Sequence, residues 1–539
     1  MEQVHNQIAS GPLRMVRRGP AICAFLVLLL TFWNSIPYSE INLAVVLKLL
    51  AAKAIVFFCT YFLAVRLTDR MQQARTHGLD SETRTFLLFF AFFICWFGFW
   101  LIGLWPGYFM TDSYATLWTM YSLQFDGWFS RLHPLIYLAL YQLLPNAVVV
   151  PIFQIILTSS VFAYAMAKLR GMGLSRLLQT LLVVLLVASV PTTALTLLAT
   201  RDTIFSVVLL FLALWMFFDV SEKKREELSL KELSFVAAAL LFISIYRGDG
   251  IALVLAVPLL LRMNKRVTTA TAVALFVSVL LLSSPAKSFL RVLLQAPTGE
   301  ETAYSVSLMM NPLGYLLQNN YVTATPEKDR KILGMLVQVD KVKEVSIPYE
   351  IPAFWEGHWR QGISDIAFSR VKSLYARMVR ENLGMFLKNR WLCFAASTGM
   401  TQAGFTYSDM SREKKHPAHY DVVYNEPLHR ALFPSLYELQ SETIASTSVY
   451  KGKRLEGKFL HWNFLPELAL SALVLLLFPW FPATASASLV VLSRVPLVFL
   501  AAPASQFKYY YSLYLFGFFV IFMLIAEKKV HSRVKEGAR

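Results

Sequence analysis

The sequence predicts an all-α polytopic membrane protein with about 12 transmembrane helices and a mainly helical extracytoplasmic domain. Three observations predict it. The 539 residues are 56% hydrophobic and 16% charged, outside the roughly 45–50% apolar and about 25% charged composition of soluble domains. Mean hydropathy is +0.51, and the apolar residues gather into runs of the ~20 residues that cross a bilayer. Finally, 51 Lys and Arg against 34 Asp and Glu give a net charge of +17. These cations fall between the apolar runs rather than in one patch, so they mark membrane topology and not a nucleic-acid partner.

The runs lie at 21–39, 42–65, 85–105, 147–167, 177–199, 203–219, 233–246, 250–261, 267–286, 463–481, 483–502 and 509–526. The stretch 135–145 is apolar but too short to cross, so an interfacial or dipping helix is expected there. Arg14, Arg17 and Arg18 precede the first run; with no A-x-A-like site after it and further spans following, it reads as a signal anchor and not a cleaved leader. Cys23, Cys59, Cys95 and Cys393 form neither a disulfide framework nor a CxxC metal motif.

Orientation follows from counting cations in the short connections. With the N-terminus cytoplasmic, the inner segments hold 22 Lys and Arg, for example Arg66, Arg170, Lys223, Arg266 and Lys528, whereas the outer ones hold four: Arg131, Arg201, Arg247 and Lys508. This positive-inside bias places both termini in the cytoplasm. Four parts follow: 1–84, a cytoplasmic tail and hairpin; 85–286, a transmembrane module whose first outer loop is 106–134; 287–462, an extracytoplasmic domain; and 463–539, C-terminal transmembrane helices with a basic tail. The long segment 287–462 carries 22 Lys and Arg with 17 Asp and Glu, and long domains translocate regardless of charge.

Four polar clusters then face one compartment: the loop 106–134 with Asp112, Asp126, Arg131 and His133; Thr200-Arg201-Asp202-Thr203; Tyr246-Arg247-Gly248-Asp249-Gly250; and Gln506-Phe507-Lys508 before Tyr509, Tyr510 and Tyr511. Ionisable groups at a membrane boundary are costly unless they pair, reach water or serve a site. The three tyrosines read most simply as an interfacial aromatic belt. Cations suit a phosphate leaving group, and a carboxylate suits a general base. No Gly-rich phosphate loop faces the cytoplasm, so the energy of any reaction is expected to come with a substrate outside it. His416 and His419 lack the carboxylate or cysteine spacing of a metal site.

In layout and short motifs the chain resembles the GT-C glycosyltransferases, polytopic enzymes such as lipid A aminoarabinose transferases and protein O-mannosyltransferases. The resemblance covers 85–286 and, less closely, the C-terminal spans. Trp105-Pro106-Gly107 leads to Thr111-Asp112-Ser113, His133-Pro134-Leu135 closes the loop, and Pro191 precedes Thr200-Arg201-Asp202. The chain departs from the pattern in having no Asp-x-Asp, a single proline after His133, and an extra pair of spans; the first departure removes support for a divalent metal, and no other cofactor is implied. The resemblance implies an inverting transfer of a hexosyl or pentosyl group from a polyprenyl-phosphate donor to an envelope glycan, lipid or protein at the cell (inner or plasma) membrane. It implies catalytic roles for Asp112 and Asp202 and donor-phosphate binding by Arg131, His133, Arg201, Arg247 and Lys508. Trp355 and Trp359, at a spacing that shares a helical face, are candidates for stacking on the acceptor. The alternatives are a flippase or transporter of lipid-linked saccharides, for which Lys48, Lys53 and Arg494 are the mid-span candidates, or a polysaccharide polymerase or ligase. A reporter fused after Glu300 is expected to be extracytoplasmic; a cytoplasmic signal there reverses the orientation.

Overall fold

Apolar runs bounded by capping residues become helices wherever the chain has no water to satisfy its backbone. The computed structural model describes residues 18–32, 42–77, 80–125, 130–222, 226–294, 300–401, 431–447 and 459–537. Asp126, His416, His419 and the flanking cations Arg14, Arg17, Lys223, Lys224, Arg225 and Arg539 lie outside these residues. The first half contains α1 (Arg18–Phe32), α2 (Leu43–His77), α3 (Ser81–Gly103), α4 (Thr111–Ser122), α5 (Leu132–Leu143), α6 (Val149–Gly171), α7 (Arg176–Ala188), α8 (Val190–Leu197), α9 (Arg201–Glu222), α10 (Leu230–Tyr246), α11 (Ile251–Met263) and α12 (Thr269–Leu293). A helical domain follows, made of α13 (Glu300–Gln318), α14 (Pro326–Leu333), α15 (Val339–Val345), α16 (Pro352–Trp355), α17 (Asp365–Glu381) and α18 (Leu383–Ser397). The chain ends with α19 (Pro434–Thr447), α20 (Leu465–Leu476), α21 (Pro482–Leu492), α22 (Val495–Ala501) and α23 (Tyr511–Gly537). The described residues contain no β-strand, only isolated bridges between Tyr108 and Leu198 and between Val337 and Trp359.

This is an all-α membrane protein. Among the described residues eight helical stretches are long and apolar enough to cross a bilayer: Val45–Asp69, Ser81–Gly103, Val149–Gly171, Arg201–Glu222, Thr269–Leu293, Phe459–Leu476, Pro482–Ala501 and Phe507–Arg533. The pair α7 and α8, bent by 61°, makes a ninth if counted as one broken span. Pro191 explains the break: it lies in the first turn of α8, where its missing N–H costs nothing, and Ser189 caps the new helix by accepting from Thr192 N at 3.1 Å.

Eight of the twelve expected spans thus coincide with these helices, and a ninth does if α7 and α8 are counted as one broken span. Of the other three, α1 is described over 15 residues, with 33–39 of the expected run outside the described residues, while α10 has 17 residues and α11 has 13. At 1.5 Å per residue α10 rises about 26 Å and α11 about 20 Å, less than the ~30 Å hydrocarbon thickness. The expected dipping helix at 135–145 is α5, only 12 residues long and mostly buried. In the helical domain α17 gives way to α18 at Asn382, whose amide donates to Met378 O at 2.9 Å and Val322 O at 3.0 Å.

Two cores result. The larger joins the membrane helices through residues such as Phe93, Phe97, Phe162 and Phe519; the smaller fills the helical domain with Met310, Leu313, Leu316, Val342, Val371 and Leu374. The domain is tied to the membrane part by polar contacts. Arg390, fully buried, donates to Ala502 O at 2.7 Å and to Asn311 Oδ1, and Ser505 N donates to Tyr349 O at 2.8 Å.

A second clamp joins the loop after α3 to the segment before α9. Tyr108 N donates to Leu197 O and Ala199 N to Tyr108 O, both at 3.0 Å, and Gln154 Nε2 donates to Thr200 O at 3.1 Å. The approach depends on Gly107. Its φ is +108°, and a Cβ there would lie 2.6 Å from Pro151 Cγ and 2.9 Å from Leu197 O. Gly107→Ala is therefore expected to destabilise the protein by about 1–3 kcal/mol, read as a lowered Tm of the detergent-solubilised protein; an unchanged Tm would show that the clamp tolerates a side chain.

Candidate functional site

The clamp brings together the N-termini of α4 and α9, and each carries an acid in its first turn, Asp112 and Asp202. Free N–H groups and the helix dipole favour negative charge there. A 3₁₀ turn at Gly248–Gly250 leads into α11 and supplies Asp249. Another at Phe507–Tyr510 leads into α23 and supplies Lys508 and Tyr509.

The charges alternate along one chain of contacts. Lys508 Nζ lies 2.7 Å from Asp112 Oδ2 and 3.7 Å from Asp202 Oδ2. Asp202 pairs with Arg247, Arg247 Nε lies 2.7 Å from Asp249 Oδ1, and Asp249 accepts from Arg494 Nε at 3.0 Å. Arg494 reaches on to Ser512 Oγ at 3.1 Å. Aromatic faces complete the packing: Arg247 lies 5.5 Å from the Phe205 centroid and 5.2 Å from that of Tyr509, and Arg494 lies 4.8 Å from Phe205. These faces favour a cation that has lost water.

Burial opposes the Asp112 carboxylate, but Lys508 first, then Arg201, hold its pKa below the usual carboxylate range. Burial opposes Asp249 in the same way, and Arg247 and Arg494 more than offset it. Burial and then Arg201 push His133 well below the ordinary imidazole value, with Asp112 pulling weakly the other way; the ring is therefore neutral near pH 7. Depressed carboxylate pKa values contribute stability above the unfolded value of about 4, which is lost as pH falls through the folded values.

The network forms one end of a cavity of about 340 Å³. Asp112, Arg201, Arg247 and Asp249 give its charged end; Ile251, Leu497, Val498 and Ala501 give an apolar wall; Tyr304, Leu308, Ile351 and Trp355 from the helical domain close it. Four cations (Lys508, Arg201, Arg247 and Arg494) stand with three acids (Asp112, Asp202 and Asp249), one positive charge in excess. With two arginines facing the lumen, the arrangement suits an anion such as a phosphate.

The residues expected from the sequence separate into two groups. Asp112, Arg201, Arg247 and Trp355 line the cavity. Asp202, 2% exposed, and Lys508, 1% exposed, are buried behind them, so their geometry is that of positioning groups for Arg247 and Asp112 and not of groups that meet a ligand. His133 is buried against Tyr246, its Nδ1 2.7 Å from the phenolic oxygen, and Arg131 stands at the N-cap of α5; neither lines the cavity. Trp359 stacks on Phe354 at 5.2 Å. The expectation that it shares a helical face with Trp355 is corrected, because α16 ends at Trp355. The aromatic-belt reading of the three tyrosines is corrected too: Tyr510 and Tyr511 are buried in the core, and Tyr509 lines the cavity.

Asp249, Arg494, Tyr304 and Tyr509 are the site residues to which the sequence reading gave no role in the site. A signal existed for two of them: Arg494 is a lone cation within an apolar run, and Asp249 sits between glycines two residues from an arginine. No protein-family model, curated protein or solved structure matches the chain. The class is therefore given by the fold and site alone: an all-α membrane protein with an ionised cavity between its membrane helices and a helical domain.

Removing one member of a buried pair costs about 3–5 kcal/mol because the other charge is left uncompensated. Asp249→Ala is expected to lower stability by that order, and adding Arg494→Met to recover part of the loss, in thermal unfolding of the solubilised protein. A double variant as unstable as the sum of the singles would dissolve the coupling.

Proposed function

We propose that this protein is an integral membrane glycosyltransferase that moves a sugar from a polyprenyl-phosphate donor to an extracytoplasmic cell-envelope acceptor, whether glycolipid, polysaccharide or protein. The observation that carries the reading is the cavity itself: one acid, Asp112, faces the same space as Arg201 and Arg247, and an apolar wall runs from that charged end along α11 and α22. A lipid-borne phosphate has an apolar tail and an anionic head, and this lumen offers a surface for each. The positive-inside count supports an extracytoplasmic cavity, where lipid-linked sugars would supply the energy that nucleotides supply in the cytoplasm.

In this reading the donor phosphate lies against Arg201 and Arg247, and the acceptor hydroxyl meets Asp112. The new bond forms between the acceptor oxygen and the anomeric carbon as the bond from that carbon to the phosphate oxygen breaks, with inversion. The proton passes from the acceptor to Asp112, and the leaving prenyl phosphate keeps the electron pair. Its growing charge falls on the two guanidinium groups, which are placed before the reaction and need no reorganisation. Lys508 keeps Asp112 ionised until the acceptor arrives, and Asp202 fixes Arg247 in place. Trp355, 61% exposed, offers an aromatic face for a sugar ring.

Comparison of envelope glycolipids and glycans with and without the gene identifies the acceptor. In membranes holding normal amounts of protein, Asp112→Asn is expected to lower transfer by about 10²–10⁴-fold and Arg201→Ala by about 10²–10³-fold. Transfer that survives Asp112→Asn removes the proposed base. Loss of lipid-linked sugar translocation with transfer intact would make the protein a flippase.

A further inference from the structure

A further acid lies within a membrane span, apart from the charged cavity. Glu467 is in the first turn of α20, inside the span Phe459–Leu476. Its Oε2 is buried and has no hydrogen-bond partner, and the same holds for Ser471 Oγ one turn further on, in a residue with no exposed surface. Residues four apart share one helix face, and here that face is turned to α23. The helices meet at Gly517, where a Cβ would lie 2.1 Å from Glu467 Cγ, so only glycine allows this approach. One turn before Gly517, Tyr514 bonds Ser189 Oγ at 3.0 Å, which continues to Thr192 Oγ1 at 2.7 Å. The opposite face of α20 is open, with Leu473 58% and Leu476 73% exposed.

Charge decides the state of this group. Among the described residues Glu467 has no ion-pair partner. The titratable group that faces it from α23 is Tyr514, and α21, the other helix packed closely on α20, contains none between Pro482 and Leu492. An uncompensated carboxylate in hydrocarbon is far costlier than the neutral acid. A metal cation is a poor alternative, since one carboxylate and one or two hydroxyls fall short of the six or more oxygens that hard cations gather. We propose that Glu467, itself partly exposed on α20 and bordered by Ser471 and Tyr514, is an intramembrane proton-binding site, held as the neutral acid and within reach of apolar carboxyl reagents from the bilayer. The proposal is independent of the transferase reading.

Dicyclohexylcarbodiimide tests it. The acid oxygen bonds to the central carbon of the reagent while the acid proton goes to one nitrogen, and an oxygen-to-nitrogen acyl shift then gives a stable N-acylurea with no group lost; only the protonated acid reacts. The full-length protein in membrane vesicles is treated at about pH 6 and about pH 9, and adducts are located by peptide mass spectrometry. Labelling of Glu467 is expected to be at least about tenfold faster at the lower pH, absent in Glu467→Gln, and absent with a water-soluble carbodiimide. No adduct at about pH 6, equal rates at the two pH values, or labelling by the water-soluble reagent would each overturn the proposal. The readout needs no enzymatic activity, so its failure is separable from failure of the proposed transfer reaction.

Discussion

The constraint on which the site depends is the cost of taking seven charges out of water at the boundary of the membrane. The desolvation of a single buried pair can exceed its coulombic gain. The solution is alternation: Asp112, Lys508, Asp202, Arg247, Asp249 and Arg494 form one line in which each interior member touches two opposite charges. Arg201 stands on the same cavity wall. Residues from five separate parts of the chain contribute, so the line exists only when the helices are correctly assembled, and it in turn fixes their relative positions.

Much of this was legible in the chain. Apolar runs of sufficient length became spanning helices, and polar residues clustered at run ends met in space because neighbouring helix termini share one level of the bilayer. Pro191 was visible, yet its consequence was not: the largely apolar run at 177–199 reads as one span, whereas Ser189 and Pro191 end one helix and start the next. Periodicity likewise linked Trp355 to Trp359, whereas the helix stops at the first of them.

The buried part of the site was the least legible. A sequence distinguishes charged from apolar residues but not the lining of a cavity from the layer behind it. Asp112 and Asp202 both begin helices with an acid, and the difference between a residue that faces the lumen and one that holds an arginine from behind is a matter of rotation by a fraction of a turn. Arg494 was visible as an isolated cation, but its partner Asp249 lies 245 positions away, and nothing local pairs them. Glu467 was hidden for a related reason: an acid in the first turn of a helix is common as a cap, and its exclusion from water follows only from the close passage of Gly517.

The helical domain bears on the same cavity through its attachment and not only through its lining. The segment 502–506 forms part of the wall and is itself bound to the domain, with Ala502 O accepting from Arg390 and Ser505 N donating to Tyr349 O. Arg390 has no exposed surface, and it donates to neutral oxygens of Asn389, Asn311 and Ala502. Swinging the wall outward without the domain would remove one of those acceptors from a buried cation, at a cost well above that of an ordinary hydrogen bond. Movement that widens the cavity is therefore cheapest when the domain and the wall travel together, which makes the domain a coupled part of the site and not a passive cover.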